Sequence, residues 1–187
     1  MRLYALCDQD MLHKNGVSLL SFIEIAKKSS AEIIQYRCKN CSLDDIKEQI
    51  LMIRAKFDGV LIVNDRYELV EYCDGVHLGQ EDLKAIDNDI FEASKKIRTI
   101  IGKDKYFGIS THNVEEILEA NKMDLDYIGL GAYRDTSTKK DICEVLGDKI
   151  DFIASHSKHN VAVIGGVKID DNFKNITYHV IGSGLLV

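Results

Sequence analysis

Proline is absent from these 187 residues, against an average usage of about 5%, so the loops are stiffened by other means or are less stiff. Long apolar runs are missing too. Nothing approaches the roughly 18 residues that mark a membrane span, and the apolar part of Met1-Arg2-Leu3-Tyr4-Ala5-Leu6-Cys7-Asp8 is too short for a signal peptide. The expectation is a cytoplasmic protein with no membrane partner. Cationic excess is lacking as well: the formal net charge of -6 argues against a nucleic-acid partner, whose phosphates need a basic surface. A small anion would need a local cluster of cations. Cysteine is present five times, an odd count, with one Cys38-x-x-Cys41 pair and no second pair. That pattern suits neither a secreted disulfide framework nor a complete four-ligand zinc set. Reduced, metal-free thiols are expected. No G-x-G-x-x-G follows the first β-like run, which disfavours a dinucleotide-binding sheet.

What is there, 45% hydrophobic and 29% charged residues, suits one sizeable core and a single domain over residues 1–187. Short apolar β-like runs recur at Leu3 to Cys7, Glu32 to Tyr36, Gly59 to Val63, Gly75 to Leu78, Tyr106 to Ser110, Tyr127 to Leu130, Val161 to Ile164 and Tyr178 to Ile181. Between them, Leu19 to Ala26, Leu43 to Ala55, Ile90 to Ile101, Val114 to Ala120 and Val145 to Ser155 carry apolar residues at helical spacing. Continuously apolar strands separated by helices predict an α/β fold, a (β/α)8 barrel with its site at the strand C-termini. An open doubly wound sheet is the alternative. Only Gly182-Ser183-Gly184-Leu185-Leu186-Val187 follows the last run, so the eighth helix is expected to be truncated or missing. An apolar strip beside strand eight would then need cover, from a homodimer partner or from a shifted neighbouring helix.

The most informative stretch is Asp126 to Lys140, where the apolar Tyr127-Ile128-Gly129-Leu130 runs into a loop carrying Thr136, Thr138, Lys139 and Lys140. Small hydroxyls donate to phosphate oxygens and lysine adds a compact positive charge. Other strand ends are polar in the same way. Gln35, Arg37 and Lys39 close the second, Asn64 and Asp65 the third, the fourth carries His77 and leads to Gln80 and Asp82, and Ser110 ends the fifth. Gly165-Gly166 and Gly182-Ser183-Gly184 close the last two, where backbone N–H groups could approach an anion. Asp65 and Asp82 are candidates to share a Mg2+ that also binds phosphate. His77, between Val76 and Leu78, reads equally as a satisfied barrel histidine or a substrate contact.

Taken together, Gln35-Tyr36-Arg37-Cys38-Lys39, Val63-Asn64-Asp65, Asp74 to Asp82, Gly108 to His112, Asp126 to Gly131, Thr136 to Lys139 and Ile164-Gly165-Gly166-Val167 resemble the thiamine phosphate synthases over nearly the whole chain. The resemblance implies a transferase that joins an aminopyrimidine diphosphate to a thiazole phosphate with Mg2+ assistance. Pyrophosphate leaves early, giving a pyrimidine cation that the thiazole nitrogen attacks. By that resemblance Arg37, Lys39, Asn64, Ser110 and Lys139 hold pyrophosphate, Asp65 and Asp82 the metal, and Gln35 the pyrimidine. Thr136, Thr138, Gly166, Ser183 and Gly184 hold the thiazole phosphate. The related thiazole tautomerases usually carry a histidine where this chain has Ala132. A barrel that binds a phosphorylated thiamine precursor without turnover is the third reading. Departures from the synthase pattern are Ala132 and Asp135 in place of proline and Arg134 in place of an aromatic or apolar residue.

Overall fold

The computed structural model describes residues 2–135 and 145–186. Eight parallel strands, β1 (Arg2–Asp8), β2 (Ile33–Arg37), β3 (Val60–Asn64), β4 (Gly75–Leu78), β5 (Tyr106–Thr111), β6 (Tyr127–Leu130), β7 (Asn160–Val163) and β8 (Tyr178–Ile181), lie in chain order. β8 returns to pair with β1 through Arg2↔Tyr178 and Ala5↔Ile181, closing a barrel. Closure removes the open doubly wound alternative.

The strands are apolar along their whole length because both of their faces are buried. Successive side chains alternate between faces. Tyr4, Leu6, Ile33, Ile62, Tyr127, Ala162, Tyr178 and Val180 fill the barrel interior. Leu3, Ala5, Cys7, Ile34, Leu61, Val63 and Ile109 point outward into a second cluster with Phe22, Ile23, Ile46, Ile50, Ile97 and Ile117 from the helices. Each fully buried Leu, Ile, Val or Phe among them contributes roughly 1.5–3 kcal/mol.

The covering helices are α1 (Gln9–Asn15), α2 (Leu19–Lys28), α3 (Leu43–Arg54), α4 (Gln80–Ile86), α5 (Ile90–Ile101), α6 (Val114–Ala120) and α7 (Ile150–Ala154). Side-chain caps from Asp8, Ser18, Ser42, Asp89 and Asn113 satisfy N–H groups at the starts of α1, α2, α3, α5 and α6. Neither α1 nor α4 is evident in the sequence. Each is seven residues long, and they bury only Met11 with Leu12 and Leu83, too few to show a period. The segment expected as one helix over Val145 to Ser155 is instead a 3-10 turn, Gly147–Lys149, followed by the short α7. Gly147 sits at φ 51°, outside the helical region.

The helical ring is thin in three further places. A 3-10 turn, Tyr67–Tyr72, follows β3, and residues 164–177 after β7 form no helix. After β8 the chain forms a 3-10 turn, Ser183–Leu185. The strip beside strand eight is nevertheless covered. His179 is 4% exposed with its ring edge-on to Phe173 at 5.1 Å, and Ile181 is 2% exposed beneath Gly184. Cover at these two positions comes from this chain's own residues 164–177 and 183–186 rather than from a shifted helix. Among the described residues no helix is long and apolar enough to cross a membrane.

Candidate active site

Strand alternation decides which polar residues meet. The register that turns Ile33 inward also turns Gln35 and Arg37 inward. The same parity aims Asp8 after Tyr4 and Leu6, and Asn64 after Ile62. These side chains therefore converge at the C-terminal mouth of the barrel, where (β/α)8 sites form.

Beneath the mouth runs a chain of side-chain hydrogen bonds. Tyr4 donates its hydroxyl hydrogen to Gln35 Oε1 (2.7 Å), and Gln35 Nε2 donates to Asn64 Oδ1 (2.6 Å). Tyr4 has one hydrogen, so at 2.9 Å the hydroxyl of Tyr127 must donate to it. Tyr127 in turn accepts from His77 Nδ1 at 3.0 Å, and His77 Nε2 is hydrogen-bonded to Ser110 Oγ at 3.0 Å. Counting hydrogens thus places a hydrogen on His77 Nδ1. The donors run in one direction from His77 to Asn64, an arrangement in which each bond polarises the next. Burial drives the Tyr4 and Tyr127 hydroxyls well above the ordinary tyrosine range, so both stay protonated. Glycine makes room for this chain. A Cβ on Gly108 would lie 2.1 Å from Tyr127 Cζ, and one on Gly129 would lie 3.0 Å from His77 Cε1.

Charges sit above the chain. Asp8, 3% exposed, pairs with Arg37 through Oδ2, while its Oδ1 accepts from Met11 N at 2.9 Å and caps α1. One carboxylate thereby fixes both a helix start and the guanidinium, which carries further N–H donors beyond this pair. Asp65 adopts φ 63°, uncommon for a non-glycine residue, and its N–H donates to His77 O at 2.9 Å. The Asp65 carboxyl is pushed up to about 6, first by burial and then by the charge of Asp82 and a hydrogen bond with it, against the pull of Arg37 and Arg66. Asp82, third residue of α4, also accepts from Gly79 N at 2.8 Å. Two carboxylates drawn together in this way share a proton or need a cation.

The remaining expected residues are placed as follows. Lys39 is exposed in the loop after β2. Cys38 and Cys41 on either side of it form a disulfide with Cα atoms 5.6 Å apart. This corrects the expectation of two reduced thiols, since that separation lies inside the range of about 4.4–6.8 Å that a bridge needs. Gly166 lies in the turn after β7 with φ 63°. Ser183 and Gly184 are exposed in the last 3-10 turn. Thr136, Thr138 and Lys139 lie outside the described residues. Asp65 and Asp82 come together. With no third such ligand among the described residues they form no larger cluster of His, Cys, Asp or Glu.

A family model described as thiamine monophosphate synthase matches residues 3–182. The chain belongs to the thiamine monophosphate synthase family. The thiamine-phosphate synthase of Persephonella marina is 37% identical over 182 residues, covering 95% of this chain and 80% of that protein. That of Lawsonia intracellularis is 35% identical over 186 residues, covering 95% and 79%. Among solved structures, thiamine phosphate pyrophosphorylase from Pyrococcus furiosus superposes with a TM-score of 0.72 at 25% identity, covering 98% of this chain and 87% of that one. A tryptophan synthase α-subunit from the same organism, TM-score 0.67 at 13% identity, shares the barrel alone.

For this member of the thiamine monophosphate synthase family, three residues of the site escaped the sequence reading. Tyr4 and Tyr127 look like ordinary strand formers, and only strand parity reveals that their hydroxyls face inward. Asp8 ends β1 as the other polar residues end theirs, so the strand-end rule applied to the first strand would have found it.

Proposed function

We propose that this chain joins 4-amino-2-methyl-5-hydroxymethylpyrimidine diphosphate to thiazole phosphate and releases pyrophosphate, assisted by Mg2+. Family membership supports the reaction, and one observation carries the site. Arg37, Asn64, Ser110 and the paired Asp65 and Asp82 stand at neighbouring strand ends around one mouth.

In this reading Gln35 orients the pyrimidine. One amide hydrogen is committed to Asn64 and its oxygen to Tyr4, so the second hydrogen is left for a ring nitrogen. The Tyr4 and Tyr127 hydroxyls keep that amide from rotating. Arg37, steadied by Asp8, directs its free N–H groups at the pyrophosphate, and Asn64 Nδ2 adds donors from β3. Lys39 and Lys139 supply further positive charge. Negative charge builds on the departing pyrophosphate, so donors aimed at it lower the barrier more than a general base would. Asp65 and Asp82 would hold Mg2+, which suits two carboxylates completed by substrate oxygens and water. When bound, it neutralises charge on the leaving group. Thr136, Thr138, Gly166 and the Ser183-Gly184 turn would grip the thiazole phosphate.

Ala132 in place of the tautomerase histidine favours the synthase over a thiazole tautomerase. Turnover with the two precursors separates it from a barrel that only binds a phosphorylated precursor. Lys139→Ala should lower kcat more than it weakens thiazole phosphate binding, because the charge it faces grows in the transition state. An unchanged kcat with a raised KM alone would count against that role.

A further inference from the structure

The turn after β7 has no helix behind it. In a complete (β/α)8 barrel the loops after the seventh and eighth strands, with a short helix, commonly make a phosphate site. Here residues 164–177 are non-helical, so neither a helix dipole nor helical packing steadies Gly165-Gly166. A residue from the β6 loop contacts the turn instead. Arg134 N donates to Gly165 O at 2.9 Å and Arg134 Nη1 to Gly166 O at 2.8 Å. Both guanidinium arms also reach the Asp171 carboxylate, each at 2.7 Å. Asp171 Oδ2 accepts from Lys168 N at 2.8 Å, so the bonded loop is closed on itself. Next to it, Tyr133 N donates to Ile164 O at 2.9 Å, and the Tyr133 ring lies 4.2 Å below the guanidinium. Arg134 holds the Asp171 carboxyl below its usual range.

Peptide planarity turns these contacts into directions. Fixing the Gly165 carbonyl aims the Gly166 N–H to the opposite side, and fixing the Gly166 carbonyl does the same for the Val167 N–H. Neither N–H donates to a backbone carbonyl among the described residues. The approach is close enough that a Cβ on Gly166 would sit 2.8 Å from Arg134 Cβ, at a φ of 63° that favours glycine.

We propose that Arg134 is a positioning residue for the thiazole phosphate: by clamping Gly165, Gly166 and Asp171 it aims the Gly166 and Val167 N–H groups at that phosphate, anchoring a turn that no helix anchors. The inference rests on the proposed synthase reading and explains why an arginine stands where that pattern has an aromatic or apolar residue.

Steady-state kinetics and calorimetric binding of thiazole phosphate alone, on the full chain, decide it. Arg134→Ala should raise KM and Kd for thiazole phosphate by about tenfold, the loss of one good charge-assisted contact, with KM for the pyrimidine diphosphate and kcat within about twofold of wild type. Arg134→Lys, which retains charge but loses the fork, should recover only part of the affinity. Asp171→Asn should move the same constants, and the double variant should be no worse than Arg134→Ala. Unchanged thiazole phosphate affinity in Arg134→Ala, or equal weakening of both substrates, overturns the proposal. If wild type binds thiazole phosphate without turning over, the synthase reading fails, and the Kd comparison still decides the role of Arg134.

Discussion

Tyr127 sits where two halves of the site meet, accepting from His77 and donating to Tyr4. Tyr127→Phe keeps the ring packing and removes only the hydroxyl, leaving the buried His77 Nδ1–H without this acceptor. Stability measured by urea unfolding should fall by about 1–3 kcal/mol. A variant as stable as wild type would mean that the chain of hydrogen bonds is incidental. Asp8 separates two roles in the same manner. Asn caps helices as well as Asp does, so Asp8→Asn should lose only the ion pair with Arg37, while Asp8→Ala should be less stable than Asp8→Asn by the cap's contribution of about 0.5–2 kcal/mol. Both should raise KM for the pyrimidine diphosphate, because Arg37 loses its ionic partner. If Asp8→Asn left that KM unchanged, the aim of Arg37 would not depend on Asp8. Gln35, His77 and Ser110 were legible because polar residues in apolar strands draw attention. The tyrosines were not, because the apolar ring hides a polar tip.

Strands were readable from composition alone, each to within one residue at either end, because burial on both faces leaves no polar alternation to confuse them. Helices were readable only where an apolar stripe exists. α2, α3, α5 and α6 have one, whereas α1 and α4 are held by the strand ends they follow rather than by their own pattern. The non-helical stretch after β7 carries no such stripe, and its tertiary role had to be seen. Phe173 from that stretch packs on Tyr133 and His179, each with ring centroids 5.1 Å apart. Phe173→Ala should cost about 2–3 kcal/mol, below the full range for a buried phenylalanine because this one is only half-buried. A loss under about 0.5 kcal/mol, the level of an ordinary surface change, would mean that this stretch does not seal β8.

At the scale of the whole molecule, the chain is acidic with a net charge of -6, yet Arg37 and Lys39 follow β2 at the C-terminal end of a closed barrel and place positive charge there. The bridge at Cys38 and Cys41 belongs to that end, since it brackets Lys39. Spacing alone could not distinguish a bridge from two thiols. Alkylation of the native chain without reductant, followed by peptide mass mapping, should recover Cys38 and Cys41 in one linked peptide and leave the buried Cys7 and Cys73 unmodified until denaturation. Recovery of both Cys38 and Cys41 as alkylated thiols would restore the reduced pair. The central claim is that Asp65 and Asp82 serve a metal-assisted departure of pyrophosphate, and pyrophosphate release by wild type and Asp65→Ala tests it most directly. Wild type should release pyrophosphate in step with thiamine phosphate formation only when both precursors and Mg2+ are present, and Asp65→Ala should lose roughly a hundredfold or more of that rate. Full Mg2+-dependent turnover by Asp65→Ala, or no condensation by wild type, would contradict the account.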